Sequence, residues 1–555
     1  MNDGGAKGLA GGGGAKGGAP SRGAKRARLA GAAFVLAGLA IRGAIALRAI
    51  DVVDALFVPD DTYYTLGIAR SMARGLGPTV DGVHLTNGFQ PLVAFLLVPV
   101  FAVTRDPDAP LRAAFLLLAA CDAITALALG AIARRAATRR PEIAGLAATA
   151  AWSLSPLAVS YALGGLETSL AIAAEALLVV AWIRARDSGR RRDFALAGAL
   201  AGASILARID AVFLVGALGA FELARGRRGG ALVAAAGGAA LVLPWWSYEL
   251  LRFGTVVPES GAAVRAQAAV HQALHLTAPK QLAWAVGAVL EAPIGRALDL
   301  RRFFFEHVEL GLAATAAALG AVGLAIARGV REDPRAAAPV RAHLAFGAAC
   351  WLFYALYVPA VWFFPRYTSP MHVTSTLLLA LLVAWAWERG ASIGSRRAAA
   401  AGPIALGVVA ALPGVESLRY LVYAPPNGTM DAALHGAKGY RAPERWIASR
   451  APRGAVIGAL QSGALAYYAD GAGVTVVNLD GVVDRDAALA FRRRDTAAFA
   501  RSRGVTHLAD FEFNLDVFLR YGGDPRLDAS SLRVVARAAP QGIDRVTLVE
   551  IAWPR

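Results

Sequence analysis

The stretch LRAAFLLLAACDAITALALGAIARRAATRRPE (residues 111–142) decides the class of fold. Its first 23 residues, 111–133, are almost wholly apolar, and four arginines crowd the nine that follow. An α-helix of that length spans roughly 30 Å, the thickness of a bilayer's hydrocarbon core. The pattern recurs along the chain. Over 555 residues, 56% are hydrophobic and only 17% charged. Mean hydropathy is +0.48. A soluble protein of this size carries more charge and shorter apolar runs. The expectation is a polytopic α-helical membrane protein with about 11 spans. They are read at 29–50, 111–133, 143–163, 168–184, 194–207, 211–224, 231–250, 311–327, 344–364, 368–387 and 404–422.

Charge orients these spans. The net charge of +17 is concentrated in connections such as RRAATRRPE (134–142), RARDSGRRRD (184–193), RGRRGG (225–230), RGVREDPRAAAPVR (328–341) and RGASIGSRR (389–397). Basic loops mark the cytoplasmic side, so this excess is read as topology rather than nucleic-acid binding. Residues 1–28, rich in Gly and Ala with scattered Lys and Arg, form a flexible basic cytoplasmic tail in front of an uncleaved first helix. The chain is then placed in the cytoplasmic (inner) membrane with a membrane domain over 29–423. That domain has a first outer loop at 51–110 and a long one at 251–310. FQPLVAFLLVPVFAV (89–103) is short for a span and would put 134–142 on the wrong side if it crossed, so it is read as interfacial or re-entrant within the first outer loop. Two short helices hinged at "ARID" fill 194–224. Arg42, inside the first span, calls for snorkelling or a partner on a neighbouring helix. The two cysteines, Cys121 and Cys350, lie in apolar runs and offer neither a disulfide framework nor a zinc site.

Residues 424–555 change character. GAVIGAL (454–460), VTVVNL (474–479), VTHLADF (505–511) and LRVVARA (532–538) read as strands with helices between them. This is a C-terminal extracytoplasmic α/β domain large enough for its own core. No GxGxxG follows its first strand.

With this topology the polar groups that are not simply basic gather on the outer face. PDDTYYTLGIARSMARGLGP (59–78) places Asp60 and Asp61 just before an amphipathic run. One reading is a helix cap. The other is chemical: neighbouring carboxylates at a low-dielectric surface raise a proton affinity, which suits a general base. The sequence leaves both open. The turn LGGLETSL (163–170), LARIDAVFL (206–214), LPWWSYELLRFGTVVPES (243–260) and FFPRYTSP (363–370) share the face.

In order, these motifs resemble the bacterial C-type (GT-C) glycosyltransferases that use polyprenyl-phosphate sugars, and among them the branch with the cell-wall arabinofuranosyltransferases. DDTYYTLGIARSMARGLGPTVDGVHLTNGFQPL (60–92) is similar to the first outer loop, with Gln90 and Val93 where the family has His and Trp. Ile209 stands for a family Pro, and Glu259 for a common Asn. The resemblance implies inverting transfer of a sugar from a polyprenyl-phosphate donor to a hydroxyl of a glycan, lipid-linked or protein acceptor at the outer face. It implies Asp60 or Asp61 as base and Arg366 or Arg208 as the cation for the phosphate. It further implies His84, Asn87, Gln90, Glu167, Asp210, Glu259 and Tyr367 around the substrates. It requires no cofactor, and it leaves open a divalent Mg²⁺ or Mn²⁺ if Asp60, Asp61 and Glu167 converge. Tyr467, Tyr468 and Trp446 are read either as sugar-stacking or as core aromatics. The rival reading is a transporter or flippase for a lipid-linked glycan, which would place ionisable groups at midplane.

Overall fold

The computed structural model describes residues 22–273, 278–291, 300–331, 338–358, 364–393, 400–422, 439–538 and 545–554. Most of the expected tail (1–28) and the boundary expected at 423/424 lie outside these residues, as do parts of the loops 251–310, 328–341 and 389–397. Among the described residues six helices are long and apolar enough to cross a membrane: Arg22–Ala46 (α1), Ala109–Ala136, Thr168–Ser188, Arg228–Phe253, Ser369–Ser392 and Ala401–Val422. Helices dominate because a chain in lipid must satisfy its backbone internally. The expected span 143–163 is instead two helices, Pro141–Ser153 and Pro156–Leu163, bent by 51°. The cause is local. Pro156 has no N–H to donate, and the Ser155 side chain accepts from the Ala158 amide to start a new helix.

After α1 the chain forms two short helices, α2 (Ile50–Phe57) and α3 (Asp60–Ala73). Next comes α4 (Pro91–Val103), whose 13 residues span only about 20 Å. That is too short to cross, in keeping with the interfacial reading of 89–103. α5 (Ala109–Ala136), the bent pair α6 (Pro141–Ser153) and α7 (Pro156–Leu163), α8 (Thr168–Ser188) and α9 (Arg191–Ala207) follow. A single 3₁₀ turn, Ile209–Ala211, joins α9 to α10 (Val212–Ala224), as the "ARID" hinge required. α11 (Arg228–Phe253) then packs along α9 through glycines: a Cβ at Gly198 would lie 2.0 Å from the Ala234 carbonyl oxygen. Arg42 finds its partner in Asp122 of α5 at 2.9 Å, and its guanidinium also donates to the Ser153 carbonyl at 2.8 Å. Both side chains are buried, so the pair ties α1, α5 and α6 together.

The basic connections converge. Arg135 pairs with Asp187 at 3.5 Å, Arg186 with Glu222 at 3.3 Å, and Arg140 with Glu388 at 2.7 Å. Loops 134–142, 184–193 and 225–230 therefore sit at one end of the helix bundle, and the C-terminal domain docks at the other.

Among the described residues that domain opens with the helix Arg441–Arg450 and holds a five-stranded sheet in the order β2-β1-β3-β5-β4. The strands are β1 (Val456–Ala459), β2 (Thr475–Asn478), β3 (His507–Phe511), β4 (Leu532–Arg537) and β5 (Val546–Ile551). β1 is parallel to β2 and β3, while β5 runs antiparallel to both β3 and β4. The four expected strands form as read. β5, which the sequence reading lacked, fills the space between β3 and β4. The domain's core continues into α2 and α3 through Tyr63, Tyr467 and Ile457. Arg441 donates to both oxygens of Asp108 at 2.9 and 2.6 Å, its amide donates to Asp54 at 2.9 Å, and Arg74 grips Asp470 at 3.0 and 2.7 Å.

Candidate active site

α3 carries the acidic pair. Its N-cap is Pro59 in an extended conformation, with no side-chain cap hydrogen bond, so neither aspartate caps its own helix. Both occupy the first turn. Consecutive residues on a helix point about 100° apart, and the two carboxylates diverge accordingly.

Asp60 turns into the C-terminal domain. Its two carboxylate oxygens accept from the amides of Gly463 and Ala464, each at 2.8 Å. These amides open the short helix Gly463–Tyr468, so Asp60 caps a helix some 400 residues away rather than its own. Gly463 has to be glycine for this: a Cβ there would sit 2.4 Å from the Asp60 carbonyl oxygen and 2.9 Å from its carboxylate. Burial pushes the Asp60 carboxyl up to about 7, against the pull of the two amide hydrogen bonds. Beside it the Tyr64 hydroxyl accepts from the Ser462 amide at 3.0 Å and from Asn478 Nδ2 at 3.1 Å. Asn478 also donates to Asp480 at 2.8 Å. Asp60 does not line the cavity described next, which separates the role expected for the pair.

Asp61 faces a cavity of about 860 Å³ enclosed by α3, the 164–167 turn, the 208–211 hinge, α12 (Glu259–Ala273) and the C-terminal domain helix Arg485–Arg493. Asp61 Oδ2 accepts from Arg366 at 2.9 Å. Beside them Arg208 holds Asp210 (2.7 Å at its shortest) and Glu167 (3.1 Å). Tyr354 donates to Asp210 at 2.8 Å and stacks on Tyr367, with centroids 4.4 Å apart and planes 12° from parallel. Arg208 is thus neutralised by two carboxylates in a buried, fully partnered cluster, and its charge is largely spent on holding the hinge. The Arg366–Asp61 pair is more open.

Gln90, Glu167, Arg208, Glu259, Arg366 and Tyr367 line the cavity with Asp61. Asp210 lies behind Arg208. Asn87 does not line the cavity. Its amide braces the loop, donating to the Val257 carbonyl and accepting from the Glu259 amide, both at 3.4 Å. Glu259 pairs with Arg485 at 3.1 Å, and burial raises its carboxyl above the ordinary range. His84 belongs elsewhere. Asp81 closes a turn by accepting from the Val83 and His84 amides and from His84 Nδ1 at 2.6 Å, and Arg503 contacts the ring from the C-terminal domain. The expected place of His84 on the acceptor path is therefore not where its side chain lies. Tyr467 is buried against Tyr63 and donates to the Pro107 carbonyl at 2.8 Å, so it is an interface aromatic rather than a sugar platform. Tyr468 packs on Tyr63 and donates to Asp108. Among the described residues no three His, Cys, Asp or Glu side chains group to hold a metal ion. The convergence of Asp60, Asp61 and Glu167 does not occur, since Asp60 faces away.

The sequence reading missed Tyr354 and the arginines that α12 and the C-terminal domain bring to the rim. The run FRRRD (491–495) was visible, but only the fold turns it toward a cavity.

Residues 90–248 match the family model described as dolichyl-phosphate-mannose-protein mannosyltransferase. Two solved structures superpose on most of the chain. One is ArnT from Cupriavidus metallidurans, bound to undecaprenyl phosphate: 12% identity, TM-score 0.52, covering 94% of this chain and 99% of that one. This chain has the C-type (GT-C) fold. The other is the oligosaccharyltransferase of Archaeoglobus fulgidus, in complex with zinc and sulfate: 13% identity, TM-score 0.54, covering 90% of this chain and 71% of that one. Among proteins of curated function no sequence matches this chain. The C-type resemblance read from the motifs thus holds. Its finer placement with the arabinofuranosyltransferases finds no support among these matches, whose family model is a mannosyltransferase one.

Proposed function

We propose that this protein is an inverting glycosyltransferase that moves a sugar from a polyprenyl-phosphate donor to a hydroxyl of a glycan, lipid-linked or protein acceptor. The observation that carries the reading is the Asp61–Arg366 pair at 2.9 Å in the wall of a large cavity between the membrane helices and the C-terminal domain. Asp61 takes the proton of the acceptor hydroxyl. That oxygen attacks the anomeric carbon as the bond from this carbon to the phosphate oxygen breaks, and polyprenyl phosphate departs with the electron pair. The leaving phosphate is already a weak base and needs no general acid. It does need a cation, and the Arg366 guanidinium, in the cavity wall beside Asp61, is the one proposed to supply it. Arg208, Glu167, Asp210 and Tyr354 hold the hinge and the Tyr367 ring in place beside the reacting centre. The basic loops lie at the end of the bundle away from this cavity. By the charge rule this supports a cytoplasmic N-terminus and a reaction on the outer face of the inner membrane.

The test is a transfer assay on the purified full chain with polyprenyl-phosphate hexoses and pentoses, following release of polyprenyl phosphate. Asp61→Asn lowers kcat by roughly 10²–10⁴-fold, the usual contribution of a positioned base. Full activity in that variant overturns the assignment. A protein that moves lipid-linked sugar across vesicles without breaking the sugar–phosphate bond would be the rival transporter.

A further inference from the structure

The cavity has two electrostatically different ends. At the inner end the positive charges of Arg366 and Arg208 are met by Asp61, Glu167 and Asp210. At the rim stand four arginines, Arg265, Arg485, Arg492 and Arg494; the carboxylates near them are Glu259, which Arg485 holds, and Asp484 and Asp486, which pair with Arg503. Among the described residues Arg265, Arg492 and Arg494 pair with no carboxylate. Arg265 rests on the ring of Tyr357 at 4.1 Å and Arg494 on that of Tyr521 at 5.7 Å, contacts that orient a guanidinium while leaving its N–H edge open. These cations come from two separate parts of the chain, α12 and the C-terminal helix Arg485–Arg493 with its cap. The two are locked together by Ala263, Val264, Val482 and Ala488. An excess of arginines over carboxylates at a cavity mouth, three of them in no ion pair with a carboxylate among the described residues, is a site for an anion.

We propose that the rim is an acceptor subsite for an anionic saccharide, one that carries phosphate or carboxylate groups. This rests on the proposed transferase reading but tests independently of it. The occupant is the acceptor rather than the donor because the donor's phosphate must reach Asp61 and Arg366, whereas Arg492 and Arg494 belong to the C-terminal domain.

The test is binding by saturation-transfer NMR to the full chain in neutral detergent, with three probes: a phosphorylated mannobiose, a digalacturonate and neutral maltotriose. The variant Arg265→Gln/Arg492→Gln/Arg494→Gln removes exposed charges and leaves the core intact. Three exposed ion pairs are together worth roughly a tenfold change in affinity. The expected result is that one or both anionic probes bind about tenfold tighter than maltotriose, and that the triple variant erases the difference while Asp61→Asn preserves it. Binding of the phosphorylated probe alone names phosphate as the anion, and binding of the digalacturonate alone names carboxylate. Equal binding of all three probes overturns the proposal, as does an unchanged preference in the triple variant. Loss of binding to phosphatidylglycerol vesicles without loss of saccharide preference would make the rim a lipid contact and overturn it as well. Loss of transfer activity in Asp61→Asn bears on the reaction only and leaves this result standing.

Discussion

Substituting Asp60 should release the C-terminal domain from the membrane helices without touching the reacting pair. The Asp60 carboxylate accepts two amide hydrogen bonds at 2.8 Å in a buried interface. Hydrogen bonds to a charged group are each worth roughly 1.5–3 kcal/mol. Burial offsets part of that gain, as the rise of the carboxyl to about 7 records. A net loss of about 2–3 kcal/mol in Asp60→Ala follows, or roughly 30- to 150-fold in the opening equilibrium at 25 °C. Hydrogen exchange read by mass spectrometry on peptides covering 463–468 reports that opening directly. Exchange there should accelerate by this factor in Asp60→Ala and stay at the wild-type rate in Asp61→Ala. Gly463→Ala is an independent route to the same state, because its methyl group would be driven 2.4 Å from the Asp60 carbonyl oxygen. Unchanged protection at 463–468 in both Asp60→Ala and Gly463→Ala would refute the reasoning.

Docking should also depend on pH. Burial raises Asp54 and Asp60 to about 7, Asp480 to about 8 and Asp510 to about 6, all above the 3.8 of an exposed aspartate. A raised carboxyl holds its proton more tightly folded than unfolded. Its stabilisation is therefore full below 3.8 and is lost as pH rises through the folded value, at about 1.4 kcal/mol per unit per group inside that window. The urea midpoint for release of the C-terminal domain should rise as pH falls from about 8 to about 5, and a flat or opposite trend counts against the buried acids. Within the membrane, Asp122→Ala strands the buried Arg42 charge and should cost about 3–5 kcal/mol in detergent unfolding, whereas Arg42→Met/Asp122→Leu should recover most of it.

Six of the expected spans, the basic ends, the short helix at 89–103 and the hinge at Arg208 were legible, because length and charge act locally; 143–163 instead breaks at a proline, and 194–207, 211–224, 311–327 and 344–364 fall on helices outside the six that are long and apolar enough to cross. So was the need of Arg42 for a partner, though not that Asp122 would supply it. The break at Ser155–Pro156 was readable in principle, since proline announces it. The strand Val546–Ile551 was missed, and its place between β3 and β4 is a matter of pairing rather than of its own composition.

Linear order by itself determined that this chain crosses a membrane many times, which residues cluster at which end, and that an acidic pair opens a helix. It left Asp60 and Asp61 equivalent, and adjacency could not separate them. Only tertiary structure did. One helical residue rotates the side chain by about 100°, so Asp60 meets the amides of a distant helix while Asp61 meets Arg366 in the cavity. The same cause removed His84 from the site and brought Arg492 and Arg494 to its rim. Composition and periodicity fix what a residue prefers locally, but packing across hundreds of residues decides what it faces.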